Sequence, residues 1–531
     1  MSASSVNRRR LLSLWLPRLP TDRLQRLLWR DSAAPGSGAL KNDTPGIVVA
    51  KLNNTLQISA VNDAAARIGL EPGLPLANAR AICPDVHVFD ADDVADAKLL
   101  DAIADWCDRF TPLVALDPPH GLCLDITGCA HLFGGETALM QTLCDALRAQ
   151  GFAVSAAIAG TSVCARTLKR YEHGRIVRDG EEADAVTPLP LFALGADEAI
   201  TRGLRRAGLK TIGDVASREP YEITARFGAA FTALVQQALG QGDTPISPRK
   251  PVPDYMVERR FAEPVATDSV IAETLSKLAQ MLVAAMDKHG KGARRLEATF
   301  FRTDGAVRAI TVEAGQPVTL ADFVDRLFRE KLDALADPLD PGFGFDLIRL
   351  AASRVELVVQ EQRDFDTRAQ DNDEVAALID RIAARIGGRR IVVHLPQDTH
   401  VPERAMVSVP AQQNLALAAQ ATWPERIEAE PPLRPLRILD RPEEVTTIAA
   451  EVPDGPPAKF IWRRASHTVV RAEGPERIAM EWWRSDNHMP TRDYFRVEDE
   501  TGLRFWLYRD GLYDREGERS QPNWFMHGMF A

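Results

Sequence analysis

The stretch DPPHGLCLDITG, residues 117–128, decides how the chain is read. Its second half, LCLDIT, reads as a strand. Upstream, apolar residues from Ala95 to Phe110 recur at helical spacing. Downstream, ETALMQTLCDALRAQG predicts a helix closed by Gly151. FAVSAAIAG is then a strand, and SVCARTLKRY opens a further helix. Nearer the start, RLLSLWL (10–16) reads as a strand and IVVAKLNNTLQISAV (47–61) as a hairpin around Asn53 and Asn54. A helical stretch from Asn62 to Ile82 is interrupted at EPGLP. Strands and helices therefore alternate over about 175 residues, which predicts an α/β layer domain.

With 531 residues the chain is too long for one core, and three to five domains are expected. Residues 187–245 are mostly helical, with LRRAGLKTIGDVA (204–216) as two short helices around a Gly-containing turn. From 255 to 320 a long helix precedes RRLEATFFR-TDG-AVRAITVEA, a hairpin on a helix-backed sheet. The segment 405–445 is rich in Ala, Gln and Pro and reads as a linker with limited structure of its own. The last eighty or so residues alternate aromatic and charged side chains, as a small antiparallel β module does. The boundaries are 1–185, 186–248, 249–400, 401–445 and 446–531, an α/β and α+β multidomain chain.

Net charge is −10, with 45% hydrophobic and 26% charged residues. That balance excludes a protein that coats nucleic acid by charge alone, since phosphate neutralisation needs clustered Lys and Arg. No run of about 18 apolar residues is present to span a bilayer. LLSLWL near the start is broken by Pro17, Arg18 and Pro20, which fits a buried strand and not a signal peptide, so a cytoplasmic location is expected. Cys83, Cys107, Cys123, Cys129, Cys144 and Cys164 form no C-x-x-C pair or zinc spacing with His120 and His131, and are expected as reduced thiols.

The order of these parts resembles a Y-family translesion DNA polymerase over roughly residues 9–400. The likeness rests on FTPLVALDPPHGLCLDITG (110–128), AARIGLEPGLPLANARAICP (65–84) and GLKTIGDVA (208–216). It implies a palm with fingers, a helical thumb, a little finger and a partner-binding tail. It also implies two-metal phosphoryl transfer, with palm carboxylates holding Mg²⁺. Residue by residue, however, the first-strand Asp falls on Trp15 and its companion on Pro17. The D-E pair falls on His120 and Gly121, and the triphosphate-gripping Tyr and Arg fall on Asp63 and Ala66. Arg166 matches a family lysine. None of the expected metal ligands is in place, so the resemblance implies no catalytic residues and no cofactor. Asp117 and Asp125 are the fallback acids of the alternative, an active polymerase with displaced carboxylates and Mg²⁺.

One branch of the family has lost its acids in this manner, the ImuB-type proteins. The chain resembles them in PRLPTDRL (17–24), RPLRILDRP (434–442), TRDYFRVED (491–499) and WFMHGMF (524–530). That likeness implies an adaptor joining DNA, the sliding clamp, an ImuA-type RecA-like protein and a C-family error-prone polymerase. Weak, sequence-independent DNA contact is expected at a helix-hairpin-helix-like turn (Gly208, Lys210, Thr211, Gly213) and along a little-finger hairpin (Lys288, Lys291, Arg294, Arg295, Arg302). An ordinary helix turn and a solvated charged face are the alternatives. Two segments compete as the clamp-binding peptide: Gln362, Asp364 and Phe365 by position, or Gln412, Leu415 and Leu417 by pattern. Trp482, Trp483, Tyr494, Trp506, Trp524 and Phe525 are either the tail's own core or its partner-docking surface.

Overall fold

The computed structural model describes residues 9–31, 44–52, 54–242, 245–358, 367–423, 434–450, 455–484, 490–511 and 523–530. The chain divides into two compact units, Met1–Gln362 and Arg363–Ala531.

In the first unit, strands β1 (Leu11–Trp15), β5 (Val114–Asp117), β6 (Gly121–Asp125) and β7 (Ser155–Ala159) form an antiparallel sheet in the order β5-β6-β1-β7. Period-two alternation sends Leu12, Leu14, Leu122 and Leu124 into one core with helices Asp93–Cys107 and Glu136–Ala149. Each of these fully buried leucines is worth ~2 kcal/mol of transfer free energy. Trp15, Gly121 and Asp117 alternate to the opposite face. Helix Ser162–Leu168 packs on β1 and β7, started by the Thr161 side chain accepting from the Cys164 N–H at 3.1 Å.

A smaller sheet holds β2 (Gly46–Leu52), β3 (Thr55–Val61) and β4 (His87–Asp90), in the order β3-β2-β4. Strands β2 and β3 pair as the expected hairpin, with Asn54 at φ 63° before β3, while Asn53 lies outside the described residues. Short helices from Glu198 to Ala238 follow. The last sheet of this unit, β10-β9-β11-β8, contains β8 (Tyr255–Val265), β9 (Lys291–Arg302), β10 (Val307–Val318) and β11 (Phe345–Leu357). Helix Asp268–Asp287 is long and apolar enough to cross a bilayer by composition, yet Ile271, Leu275, Leu278, Leu282 and Met286 are buried and the helix packs on this sheet.

The second unit begins earlier than the predicted boundary at 400. Helix Thr367–Ile386 packs on helix Ala411–Gln420, where the Gln412 amide donates to Asp380 at 2.9 Å. Beside them, β12 (Val392–Pro396) pairs with β13 (Met406–Pro410). Much of the stretch expected as a linker is therefore folded, because its Ala-rich segment has a partner helix to bury against. The tail is a closed barrel of β14 (Arg437–Ala450), β15 (Pro457–Trp462), β16 (Ala465–Ile478), β17 (Arg492–Asp499), β18 (Arg504–Asp510) and β19 (Trp524–Met529). Closure removes the open edges that a flat sheet of this sequence would expose. Phe460, Phe495, Phe505, Leu507, Trp524 and Met526 share one buried cluster of the barrel, while Tyr494, Trp506 and Tyr508 share another with Ile478.

Candidate functional site

The end of the palm sheet brings together most of the residues singled out in DPPHGLCLDITG. Trp15 lies directly across from Gly121, and Gly121 directly across from Asp117, on three adjacent strands. His120 is in the turn between β5 and β6, where its carbonyl accepts from the Leu16 N–H at 2.8 Å, and Pro17 follows one residue on. Burial lowers the His120 pKa below the ordinary histidine value. Asp125 is not part of this group. Four residues along β6 place it about 13 Å from Gly121. Its carboxylate accepts from the Thr127 N–H at 3.0 Å at the far strand end.

The residue that organises this end was not among the predicted site residues. Lys169, directly after helix Ser162–Leu168, is 1% exposed. Its Nζ donates to Asp117 Oδ2 at 2.6 Å and to the Leu14 carbonyl at 3.2 Å. Burial lowers the Lys169 pKa, and Asp117 opposes that shift. Arg166 Nη1 stands 3.7 Å from the other Asp117 oxygen, and the Arg170 guanidinium lies 5.5 Å from the Trp15 ring. A Cβ at Gly121 would meet the Asp117 carbonyl oxygen and Lys169 Nζ, each at 2.8 Å, and Asp117 Oδ2 at 3.0 Å. Real Cβ contacts are essentially never that short, so a carboxylate side chain has no room there.

The Mg²⁺ implied by the Y-family resemblance therefore does not fit these residues. Asp117, the acid across from Gly121, already faces an ammonium, and among the described residues no three His, Cys, Asp or Glu side chains group to hold a metal. The signal for Lys169 was in the sequence, as the last residue of SVCARTLK. Arg166, three residues earlier, is the one that matches a family lysine, and the sequence does not show which of the two is buried. All six cysteines are free, four of them buried, with burial pushing the Cys123 thiol up to about 12.

The expected DNA-contacting turn is present but its donors are spent. Gly208 has φ 83°. The Lys210 and Thr211 N–H groups both donate to the Asp214 carboxylate at 2.8 Å, and those of Ile212 and Gly213 go to the Leu189 and Thr187 carbonyls. A carboxylate thus sits where a phosphate was expected, and those two bonds hold Asp214 below the usual carboxylate range. On the little-finger sheet, Arg302 is clamped by Asp304 at 2.6 Å and Asp340 at 2.9 Å, which fixes the adjoining loops. Arg294 pairs with Glu356 at 2.8 Å and Arg295 with Glu313 at 3.6 Å. Lys288 is exposed after the long helix, and the Lys291 ammonium lies 5.6 Å from the Tyr255 ring.

Gln362, Asp364 and Phe365 lie outside the described residues. Gln412 is nearly buried on its helix against Asp380, with Leu415 and Leu417 on the same helix, so this segment is not the extended peptide expected. The six tail aromatics separate cleanly. Tyr494, Trp506 and Trp524 are at most 3% exposed and Phe525 is packed against that core, whereas Trp482 and Trp483 are 76% and 60% exposed. Trp482 and Trp483 are neighbours in EWWR, outside the alternating run YFRVEDETGLRFWLY, but aromatic density alone does not say which group faces solvent.

Residues 39–170 match the impB/mucB/samB family, residues 253–366 its C-terminal domain, and residues 436–530 a domain of unknown function, DUF6504. The chain is 38% identical over 474 residues to Protein ImuB of Caulobacter vibrioides, covering 87% of this chain and all of that protein. The chain belongs to the ImuB family. A DNA polymerase IV from Dehalococcoides mccartyi is 24% identical over 286 residues, 52% of this chain and 72% of the relative. Among solved structures, DinB from Sulfolobus solfataricus aligns at 14% identity and TM-score 0.37, covering 66% of this chain and all of DinB. The ImuB-family chain has a Y-family polymerase-like first unit, mixed α/β, followed by an all-β C-terminal module.

Proposed function

We propose that this chain is a non-catalytic adaptor in error-prone translesion DNA synthesis after DNA damage. The observation that carries the reading is the Gly121 position. Two-metal phosphoryl transfer needs converging carboxylates, and here any side chain at 121 would run into Lys169 Nζ and the Asp117 carbonyl at 2.8 Å. The alternative, a polymerase using Asp117 and Asp125, has to join acids from opposite ends of the sheet, one of them already paired with Lys169.

In this reading the chain recruits. The sliding clamp, an ImuA-type RecA-like protein and a C-family polymerase are the partners that family membership suggests. Trp482 and Trp483 are the tail's docking residues, since large exposed aromatics on a fixed turn are typical of binding hot spots. Glu481 fixes that turn, accepting from Thr399 Oγ1 at 2.6 Å. DNA contact is weak and sequence-independent, around Lys288 and Lys291. The clamp peptide is the segment at Gln362, because Gln412 is committed to Asp380.

The test is complementation in a bacterium lacking its own copy. The Trp482→Ala/Trp483→Ala chain, expressed at normal level, should reduce damage-induced mutation frequency to that of the deletion strain. Full mutagenesis from a chain lacking residues 430–531 would contradict the adaptor reading and favour a plain DNA-binding factor.

A further inference from the structure

We propose that the Lys169 ammonium is a built-in replacement for a bound cation, seated on Asp117 and the Leu14 carbonyl, and that its charge holds the end of the palm sheet closed. The site has the chemistry of a hard-cation site: a carboxylate oxygen at 2.6 Å and a backbone carbonyl oxygen at 3.2 Å converge on one positive group. The ammonium is 1% exposed, and an interior charge persists only where it is paired and hydrogen-bonded. Helix Ser162–Leu168 delivers it from one side of the sheet, and Asp117 meets it from the edge strand. Gly121 is the third part of the device, since a Cβ there would occupy the ammonium's own space at 2.8 Å. Trp15, directly across from Gly121, carries the Arg170 guanidinium over its ring, so a second cation lies at this end of the sheet. The three adjacent positions Trp15, Gly121 and Asp117 are thus organised around side-chain cations that the chain itself supplies.

This inference deepens the non-catalytic reading and rests on it. The test therefore reads stability, which a primer-extension result does not decide. Thermal unfolding of the full-length protein is followed for wild type, Lys169→Ala and Asp117→Asn/Lys169→Ala. Each is measured in methylammonium chloride and in tetramethylammonium chloride at matched ionic strength. Methylammonium is small enough to enter the space that the lysine leaves and can donate to Asp117; tetramethylammonium cannot. Lys169→Ala should lose several degrees in its transition and recover part of that loss in methylammonium only. Wild type and the double variant should show no difference between the two salts. An equal response of Lys169→Ala to both salts would overturn the proposal. Should Lys169→Ala not fold, Lys169→Met and Asp117→Asn/Lys169→Met replace it. The neutral double variant should then unfold at a higher temperature than Lys169→Met alone, and a still lower transition would overturn the proposal.

Discussion

The palm and the barrel each bury a basic side chain against a carboxylate, with opposite consequences. In the palm, Lys169 and Asp117 meet at the end of a sheet, in the space that a side chain at Gly121 would need. In the barrel, Arg492 reaches Glu403 at 2.6 Å, while Arg509 and Arg477 converge on Asp493 at 2.6 and 2.7 Å. The first of these contacts ties the 3-10 turn Pro402–Arg404 to the barrel, and Thr399 reaches Glu481 beside it. That bracing leaves Trp482 and Trp483 standing in solvent on a fixed turn. The same kind of pair thus closes one surface and supports another. What separates them is the neighbour: a glycine and a tryptophan across the strands in the palm, a turn from another segment in the barrel.

The sharpest way to break this comparison is to remove a barrel charge. Asp493 is 0% exposed and Arg509 1% exposed, so Asp493→Asn takes away the buried carboxylate charge on which Arg509 and Arg477 converge. A loss of ~3–5 kcal/mol in barrel stability is expected, read by urea unfolding through Trp506 and Trp524 fluorescence. A loss below about 1 kcal/mol would mean that the pair is already solvated. Next comes Gly121→Ala, which forces one methyl group against Asp117 and Lys169. It should cost ~1–3 kcal/mol in the transition of the first unit and leave the barrel transition unchanged. An unaltered first transition would mean that the palm end is not filled as described.

Acid titration separates the regions more gently. His527 is fully buried, hydrogen-bonded to the Tyr494 hydroxyl through Nδ1 at 2.9 Å, and its Nε2 has no hydrogen-bond partner among the described residues. Burial brings its pKa down to about 4, with Glu403 opposing and Arg492 reinforcing the shift. The unfolded chain therefore binds more protons than the folded barrel between about pH 6.5 and 4. Barrel stability should be retained above pH 6.5 and fall as the pH drops through that window. His527→Gln should flatten the dependence, and an equally steep fall in that variant would assign it to other groups. The smallest effect belongs to the exposed tryptophans. Trp482→Ala should change barrel stability by no more than ~0.5 kcal/mol, while weakening capture of a partner protein at least tenfold. Loss of stability without loss of capture would place Trp482 with the core aromatics.

The palm strands LLSLW, LCLDI and SAAIA were legible because short apolar runs alternate with helical stretches, whereas their order in the sheet was not. Trp15 and Gly121, where the family resemblance puts two of the missing acids, lie opposite one another on neighbouring strands. Lys169 was not legible, because its importance comes from burial beneath a sheet and from a close approach that only a glycine permits. The spent donors of the turn at Lys210 were hidden for a similar reason. Asp214 is four residues further on, and nothing in the spacing distinguishes a capping carboxylate from a free one. In the tail, which aromatics face solvent depends on barrel closure and on the segment around Glu403, neither of which alternation encodes.

The central claim, a palm without catalytic carboxylates, is met most directly by primer extension. The purified full-length protein is given a primed template, all four nucleotides and Mg²⁺ or Mn²⁺. No incorporation is expected with either metal, in a preparation that still binds DNA. Robust incorporation that is abolished by Asp117→Ala or Asp125→Ala would contradict it.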